Sequence, residues 1–232
     1  MNDTASDASV LPGEDAGRAA RYYKREFWIE ENRKHIPAHY RLRKLTRIIS
    51  KVAAGKTTDL LDVGCGPATL RQLLPDNVSY YGIDIAIHEP APNLLEADIV
   101  ETPIRFGNMR FRIVVAQGLF EYLGHAQARK FAEVARILSR RGVFIVTFTN
   151  FGHSRAHIYE PFNNIQSVEE FRTSLMQYFR VDRSFPISHN WFGGQPRREL
   201  MKAVNMRINW NIPFLSPRLA VEYVFICSPR RR

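Results

Sequence analysis

The sequence predicts an α/β protein: a doubly wound, mostly parallel, seven-stranded sheet with helices on both faces and further helices added at the N-terminal side. Three observations predict it. Short apolar and β-branched runs recur through the middle of the 232-residue chain. Helical periodicity returns before, between and after them. The first run breaks into the glycine turn GCG at 64–66, where an open α/β sheet opens its ligand crevice.

Residues 1–17 are rich in Ala, Ser, Asp and Gly and poor in large apolar side chains, the composition of a disordered leader. Residues 18–232 read as one domain. Within it, 18–54 hold N-terminal helices, one from Ala19 to about Lys34 and a second from His39 to Ala53. The second carries Leu42, Leu45, Ile48 and Ile49 as an apolar stripe and stops at Gly55. Residues 58–150 follow with a change of period. TTDLLDV reads as the first strand, and Pro67 suits the first position of a helix running through ATLRQLL to Pro75. VSYYGIDIA, NLLEADI and FRIVVAQ are strands two to four, HAQARKFAEVARILSRR a helix, and GVFIVTFTN strand five. Residues 151–232 form the second half. FGHSRAHIYEPFNN reads as a loop, VEEFRTSLMQYF as an amphipathic helix, and RVDRSFPIS as strand six. HNWFGGQPRR reads as a Gly/Pro-rich loop and LAVEYVFIC as a long final strand.

Composition narrows the function classes. Hydrophobic residues make up 45%, enough for an ordinary core, and no run reaches the roughly 20 apolar residues of a membrane span. The N-terminus lacks the basic-then-apolar order of a signal peptide, so a cytoplasmic location is the expectation. The two cysteines, Cys65 and Cys227, suggest neither a disulfide framework nor a zinc site. Net charge is +10, and because 1–17 hold four acids and no base, the body is more basic still. Such a body suits nucleic acid, a membrane surface or a phosphorylated substrate; a solvated Arg-rich surface has the same composition.

The glycine turn separates two ligand classes. A dinucleotide fingerprint needs a third small residue, where this sequence has Thr69. Asp62, two residues before Gly64, would repel pyrophosphate but suits a ligand bearing an ammonium group. S-adenosylmethionine, cationic at sulfur and at its amino group and free of phosphate, fits that charge pattern. Asp84, twenty residues after Gly64, is placed to accept both ribose hydroxyl protons. Asp98 after strand three could accept from an adenine amino group. Gln117 and Gly118 close strand four, where chain carbonyls would face the methionine end.

With these segments in this order (LLDVGCGPA, YYGIDIA, LLEADI, IVVAQGLFEYL, LSRRGVFIVTFTN), the sequence resembles the class I S-adenosylmethionine-dependent methyltransferases over roughly 58–150. The resemblance implies cofactor contacts from Gly64 and Gly66, ribose binding by Asp84 and adenine recognition by Asp98. The candidate cofactor set is Asp62, Gly64, Cys65, Gly66, Asp84, Ile85, Asp98, Ile99, Gln117 and Gly118. One departure stands out: Arg112 occupies the place of an acidic residue common at the start of strand four in that family. Tyr22 and Tyr23 sit where many members cover the cofactor with an N-terminal helix; core packing is their competing use.

Methyl transfer needs a general base only when the acceptor must lose a proton in the step. His157 and His153 after strand five are the candidate bases, with His125 and His189 also near strand ends; a histidine so placed is more often a solvent-facing loop residue than a base. Glu121 and Tyr122 could line the site or pack a helix. No Asp/Asp/Asn metal set presents itself. No Asn/Asp-Pro-Pro-aromatic run follows strand four, and neither cysteine is placed for attack on a pyrimidine. The leading expectation is O-methylation of a small metabolite, saccharide or natural-product acceptor recognised by the loops after Asn150. Two alternatives stay open: an RNA-directed methyltransferase, drawing on RLRKLTR and QPRR, and a cofactor-binding interaction protein without turnover. The sequence is silent on oligomeric state.

Overall fold

The computed structural model describes residues 26, 29, 39–152, 164–189 and 195–230. The expected leader, most of the first helix with Tyr22 and Tyr23, and the candidate bases His153 and His157 lie outside the described residues.

Helix α1 (His39–Ala53) forms as its periodicity dictates. Leu42, Leu45, Ile48 and Ile49 are buried on one side, while Arg43, Arg47 and Lys51, at i, i+4 and i+8, are exposed on another. Ala54 and Gly55 enter the left-handed region, with φ of 49° and 71°, and end the helix in the usual glycine manner.

Seven strands form one sheet in the order β3–β2–β1–β4–β5–β7–β6. Strands β1 (Thr58–Val63), β2 (Val78–Asp84), β3 (Leu94–Glu96), β4 (Phe111–Ala116) and β5 (Leu138–Thr149) are parallel. Strand β7 (Ala220–Pro229) runs antiparallel between β5 and β6 (Phe179–His189). Its long apolar run is therefore interior, paired on both edges. Chain order reverses around β1, whose neighbours are β2 on one side and β4 on the other, so the switch point lies between β1 and β4.

Both faces are covered, which is why the parallel strands are apolar almost throughout. On one face, α1 packs its stripe on Leu60, Ile113, Val115, Ile145 and Val224. On the other, helices α2 (Gln127–Ile137) and α3 (Val168–Met176) cover Leu61, Val114, Phe144, Phe148 and Phe225. Aromatic rings knit this second layer: Phe120 stacks on Phe131 at 4.5 Å and Phe148 on Phe171 at 4.0 Å. The start of α3 is fixed by a capping box in which Ser167 and Glu170 satisfy each other's backbone N–H.

The structure corrects three expectations of local structure. First, no α-helix follows the glycine turn. Ala68 adopts a left-handed conformation (φ 53°), and only a 3-10 turn, Thr69–Leu73, follows. Pro75 holds Leu74 extended, so too few residues remain between Ala68 and Leu74 for an α-helix. Pro67 accordingly does not open a helix. Second, the stretch Leu138–Arg141, expected to end a helix, already belongs to β5. Third, the expected loop around QPRR opens a helix, α4 (Gln195–Arg207), followed by the short α5 (Ser216–Leu219).

Candidate active site

The turns after β1 and β4 meet across the switch point. Gly64 (φ 74°) and Gly66 (φ 51°) both lie in the left-handed region, which L-residues avoid and glycine does not. A Cβ on Gly64 would come within 2.9 Å of Leu119 Cδ1, so this position is also closed sterically. The turn is pinned to β2, because Ile83 O accepts from Gly64 N at 2.8 Å and from Cys65 N at 3.2 Å. Cys65 is buried under Gly82, where an added Cβ would stand 2.8 Å from its Sγ. Gly118 (φ 59°) donates its N–H to Thr147 Oγ1 at 2.9 Å, and a Cβ there would meet nothing within 4 Å. Gln117 beside it is half-buried.

Asp84 ends β2 with its carboxylate fixed by two backbone donors. Gly66 N lies 2.8 Å from Oδ2 and Ala86 N 3.0 Å from Oδ1. Burial raises its pKa while these N–H groups, and the nearby His88, oppose the rise. Ile85 is half-buried beside it. Asp62 is buried at the end of β1, accepts from Tyr80 Oη at 2.9 Å, and has its carboxyl pushed up to about 7 by burial, with Asp84 adding. Asp98 is half-buried, and its Oδ1 accepts from Val100 N at 2.8 Å. Ile99 next to it is buried. Helix α2 holds this loop from below: Lys130 Nζ donates to Thr102 O at 2.8 Å, Arg129 to Val100 O, and Glu133 Oε2 accepts from Ile104 N at 2.9 Å.

A second polar row lies along the same strand ends, on the β5–β7–β6 side. Glu121 is fully buried, and its Oε1 accepts from Thr149 N at 2.7 Å and from Thr149 Oγ1 at 2.9 Å. Its Oε2 is buried with no hydrogen-bond partner. Burial, with Glu222 adding, pushes its carboxyl up to about 7. Glu222 faces Thr149 across the β5–β7 ladder and accepts from Arg41 Nη1 at 2.7 Å. Ser188, aligned with Glu222 on β6, shares a hydrogen bond with the Tyr40 hydroxyl.

The turn residues and the acids after β2 and β3, expected from the sequence at these strand ends, lie together along one edge of the sheet. Beside them stand groups not legible in the sequence: His88, whose buried Nε2 has no hydrogen-bond partner, and the pairs Arg41–Glu222 and Tyr40–Ser188. No local spacing announces those pairs. His125 is exposed on the 3-10 turn Gly124–Ala126. His189 is buried, its Nε2 lies 3.3 Å from Ser216 Oγ, and burial, with the Lys44 charge adding, lowers its pKa to about 4. It is thus neutral at physiological pH and part of the packing.

Residues 61–146, the parallel half of the sheet, match the family model described as a methyltransferase domain. No curated protein sequence matches the chain. Solved structures do. A TehB-like S-adenosylmethionine-dependent methyltransferase from Corynebacterium glutamicum superposes with a TM-score of 0.55 at 13% identity, covering 95% of this chain and 100% of that one. An S-adenosylmethionine-dependent methyltransferase from Clostridium acetobutylicum gives 0.58 at 12%, covering 84% and 93%. The plantazolicin methyltransferase BpumL, in complex with a triazolic desmethylPZN analog and SAH, gives 0.57 at 13%, covering 95% and 100%. At these identities the likeness to solved structures is one of fold. The domain match gives residues 61–146 as a methyltransferase domain, and the sheet order is that of the class I S-adenosylmethionine-dependent methyltransferase fold.

Proposed function

We propose that the protein transfers the methyl group to a hydroxyl oxygen of a small polar acceptor, a metabolite, saccharide or natural product, bound along the β4–β5–β7–β6 strand ends. The methyl donor is S-adenosylmethionine, which supplies a methyl group already activated by its sulfonium. The chain's own part begins with Asp84. Its carboxylate accepts from the backbone N–H groups of Gly66, Ala86 and Ile85, and its remaining acceptor capacity serves a ribose hydroxyl. The Gly64–Cys65–Gly66 turn, with Asp62 behind it, faces the amino-acid end. Gln117 and Gly118 flank that end, and the open space above Gly118 leaves room for it. Asp98, with Ile85 and Ile99 as walls, holds the adenine.

The observation that carries the oxygen acceptor is Glu121. A hydroxyl is a poor nucleophile until its proton has somewhere to go. Glu121 has a carboxyl poised near 7, one oxygen spent on Thr149 and the other without a partner. It takes the acceptor proton as the carbon–oxygen bond forms, while Glu222, held by Arg41, keeps a second negative charge nearby. His153 and His157, which follow β5 in the chain, are the alternative bases. The test combines a pH–rate profile with product analysis. Activity should rise as pH passes about 7, because the deprotonated carboxyl is the active form. Glu121→Gln should lower kcat about 100-fold and flatten that limb with little change in cofactor affinity. A carbon-13 methyl label appearing on nitrogen, or an unchanged pH limb in Glu121→Gln beside a lost one in His157→Ala, would overturn this assignment.

One observation favours a second reading, an RNA acceptor. α1 contains no acidic residue, and its exposed Arg43, Arg47 and Lys51 form a basic stripe running from the bottom of the sheet toward Arg41. Steeply salt-dependent RNA binding that is lost on reversing those three charges would support it. A cytoplasmic location belongs to either reading; among the described residues no helix is long and apolar enough to cross a membrane.

A further inference from the structure

Seven large apolar side chains are exposed among the described residues, and four of them, Leu200, Trp210, Phe214 and Leu215, fall within 200–215. Such crowding marks an interaction surface, whereas single exposed apolar residues need no explanation. On α4, residues 200, 203 and 207 lie three and four apart and all are exposed, so Leu200 and Ala203 share a face with Arg207. The chain continues through Trp210, 59% exposed, to Phe214, 88% exposed.

Phe214 is held outward at a conformational cost. Its φ is 62°, a region that bulky residues avoid. The turn imposing it is anchored in the interior. Ile212 O accepts from Leu215 N at 3.2 Å and from Ser216 N at 2.9 Å, and Ile212 N donates to Ser216 Oγ at 2.9 Å. Ser216 itself is fully buried against His189. The ring is therefore presented by a rigid mount.

The charge between Glu199 and Glu222, the latter engaged by Arg41, has one sign. From Leu200 to Val221 the sequence contains Lys202, Arg207 and Arg218 and no acidic residue, and Arg207 and Arg218 are exposed. A partner that is anionic at its surface and apolar just beneath complements both features.

We propose that this surface docks the protein on an anionic lipid bilayer. Trp210 sits at headgroup level, Phe214 and the leucines enter the acyl boundary, and Arg207 and Arg218 meet lipid phosphates. The aliphatic Leu200 and Leu215 set it apart from a base-stacking platform, which relies on rings. The α1 stripe has charge without any exposed large apolar side chain and lacks this character.

Flotation with phosphatidylglycerol/phosphatidylcholine vesicles, against phosphatidylcholine alone, tests the proposal. The wild type should float with the anionic vesicles only. The double variant Trp210→Ser/Phe214→Ser should lose roughly tenfold or more in partitioning, and Arg207→Glu/Arg218→Glu should lose it as well. Both should bind S-adenosylhomocysteine like the wild type in calorimetry, which shows that the fold is kept. Failure of the wild type to float, or flotation unaffected by the aromatic change, overturns the proposal. Two further results would reassign the surface: binding of a single-stranded RNA oligonucleotide lost in the aromatic variant without flotation of the wild type, or self-association lost in the same way.

Discussion

The two halves of the sheet hold their polar groups by different means. In the β1–β4 half, the acids are tied to nearby backbone: Asp84 to Gly66 N and Ala86 N, Asp98 to Val100 N. In the β5–β7–β6 half, the bonds join distant parts of the chain. Arg41 reaches Glu222 across 181 positions, and Lys44 reaches Pro186 O across 142 and Asn205 O across 161. The first half makes a site from turns fastened to a neighbouring strand at most 19 positions away along the chain. The second exists only when α1, α4, β6 and β7 have assembled. Under the proposed function the cofactor rests on the former, and the acceptor pocket can vary through the latter without disturbing it.

Substitutions in each half should therefore fail differently. The largest effect is expected at Asp84. Removing its carboxylate takes away the groups proposed to meet the ribose and strands Gly66 N and Ala86 N. Asp84→Ala should weaken S-adenosylhomocysteine about 100-fold in calorimetry, by loss of charge-assisted bonds. An affinity within twofold of wild type would show that the ribose is held elsewhere.

Lys44 tests the other half. It is buried, donates to Pro186 O at 3.0 Å, Asn205 O at 2.7 Å and Ile208 O, and has no acid partner among its hydrogen bonds. It thereby caps the end of α4 and ties it to α1 and β6, where a cation also suits the helix dipole. Lys44→Met should cost about 2–3 kcal/mol in denaturant unfolding and leave cofactor affinity nearly intact. Burial lowers its pKa from 10.5 to about 8. Between those values the unfolded chain binds more protons than the folded one, so the Lys44 contribution makes stability rise with pH there. The methionine variant should lack that increment, and an identical pH dependence in both proteins would contradict this account.

The smallest effect is expected at the α3 cap, whose hydrogen bonds are solvent-exposed. Ser167→Ala should cost about 1 kcal/mol, read as a modest fall in Tm with activity unchanged. A loss of activity there would mean that α3 communicates with the strand ends.

The same contrast explains what the sequence revealed. Strand order and the Gly64, Gly66, Asp84 and Asp98 positions were legible because each depends on local periodicity or turn chemistry. The missing α-helix after Ala68 was not, since the left-handed Ala68 is imposed by the turn it closes, and alanine gives no warning of it. The helix α4 escaped notice because Gly193, Gly194 and Pro196 dominate the start of its sequence. Arg41–Glu222 and Tyr40–Ser188 have no sequence signature at all, because the pairing exists only in three dimensions.

The two cysteines are both free, and each is buried in a different half, Cys65 in the β1 turn and Cys227 in β7. Burial pushes both thiols up, so neither offers reactive thiolate in the folded state. Alkylation of either must wait for its surroundings to open. The protein thus carries one chemical clock in each half, and comparing their labelling rates with and without S-adenosylhomocysteine would show whether the ligand stills the whole molecule or only the half proposed to grip it.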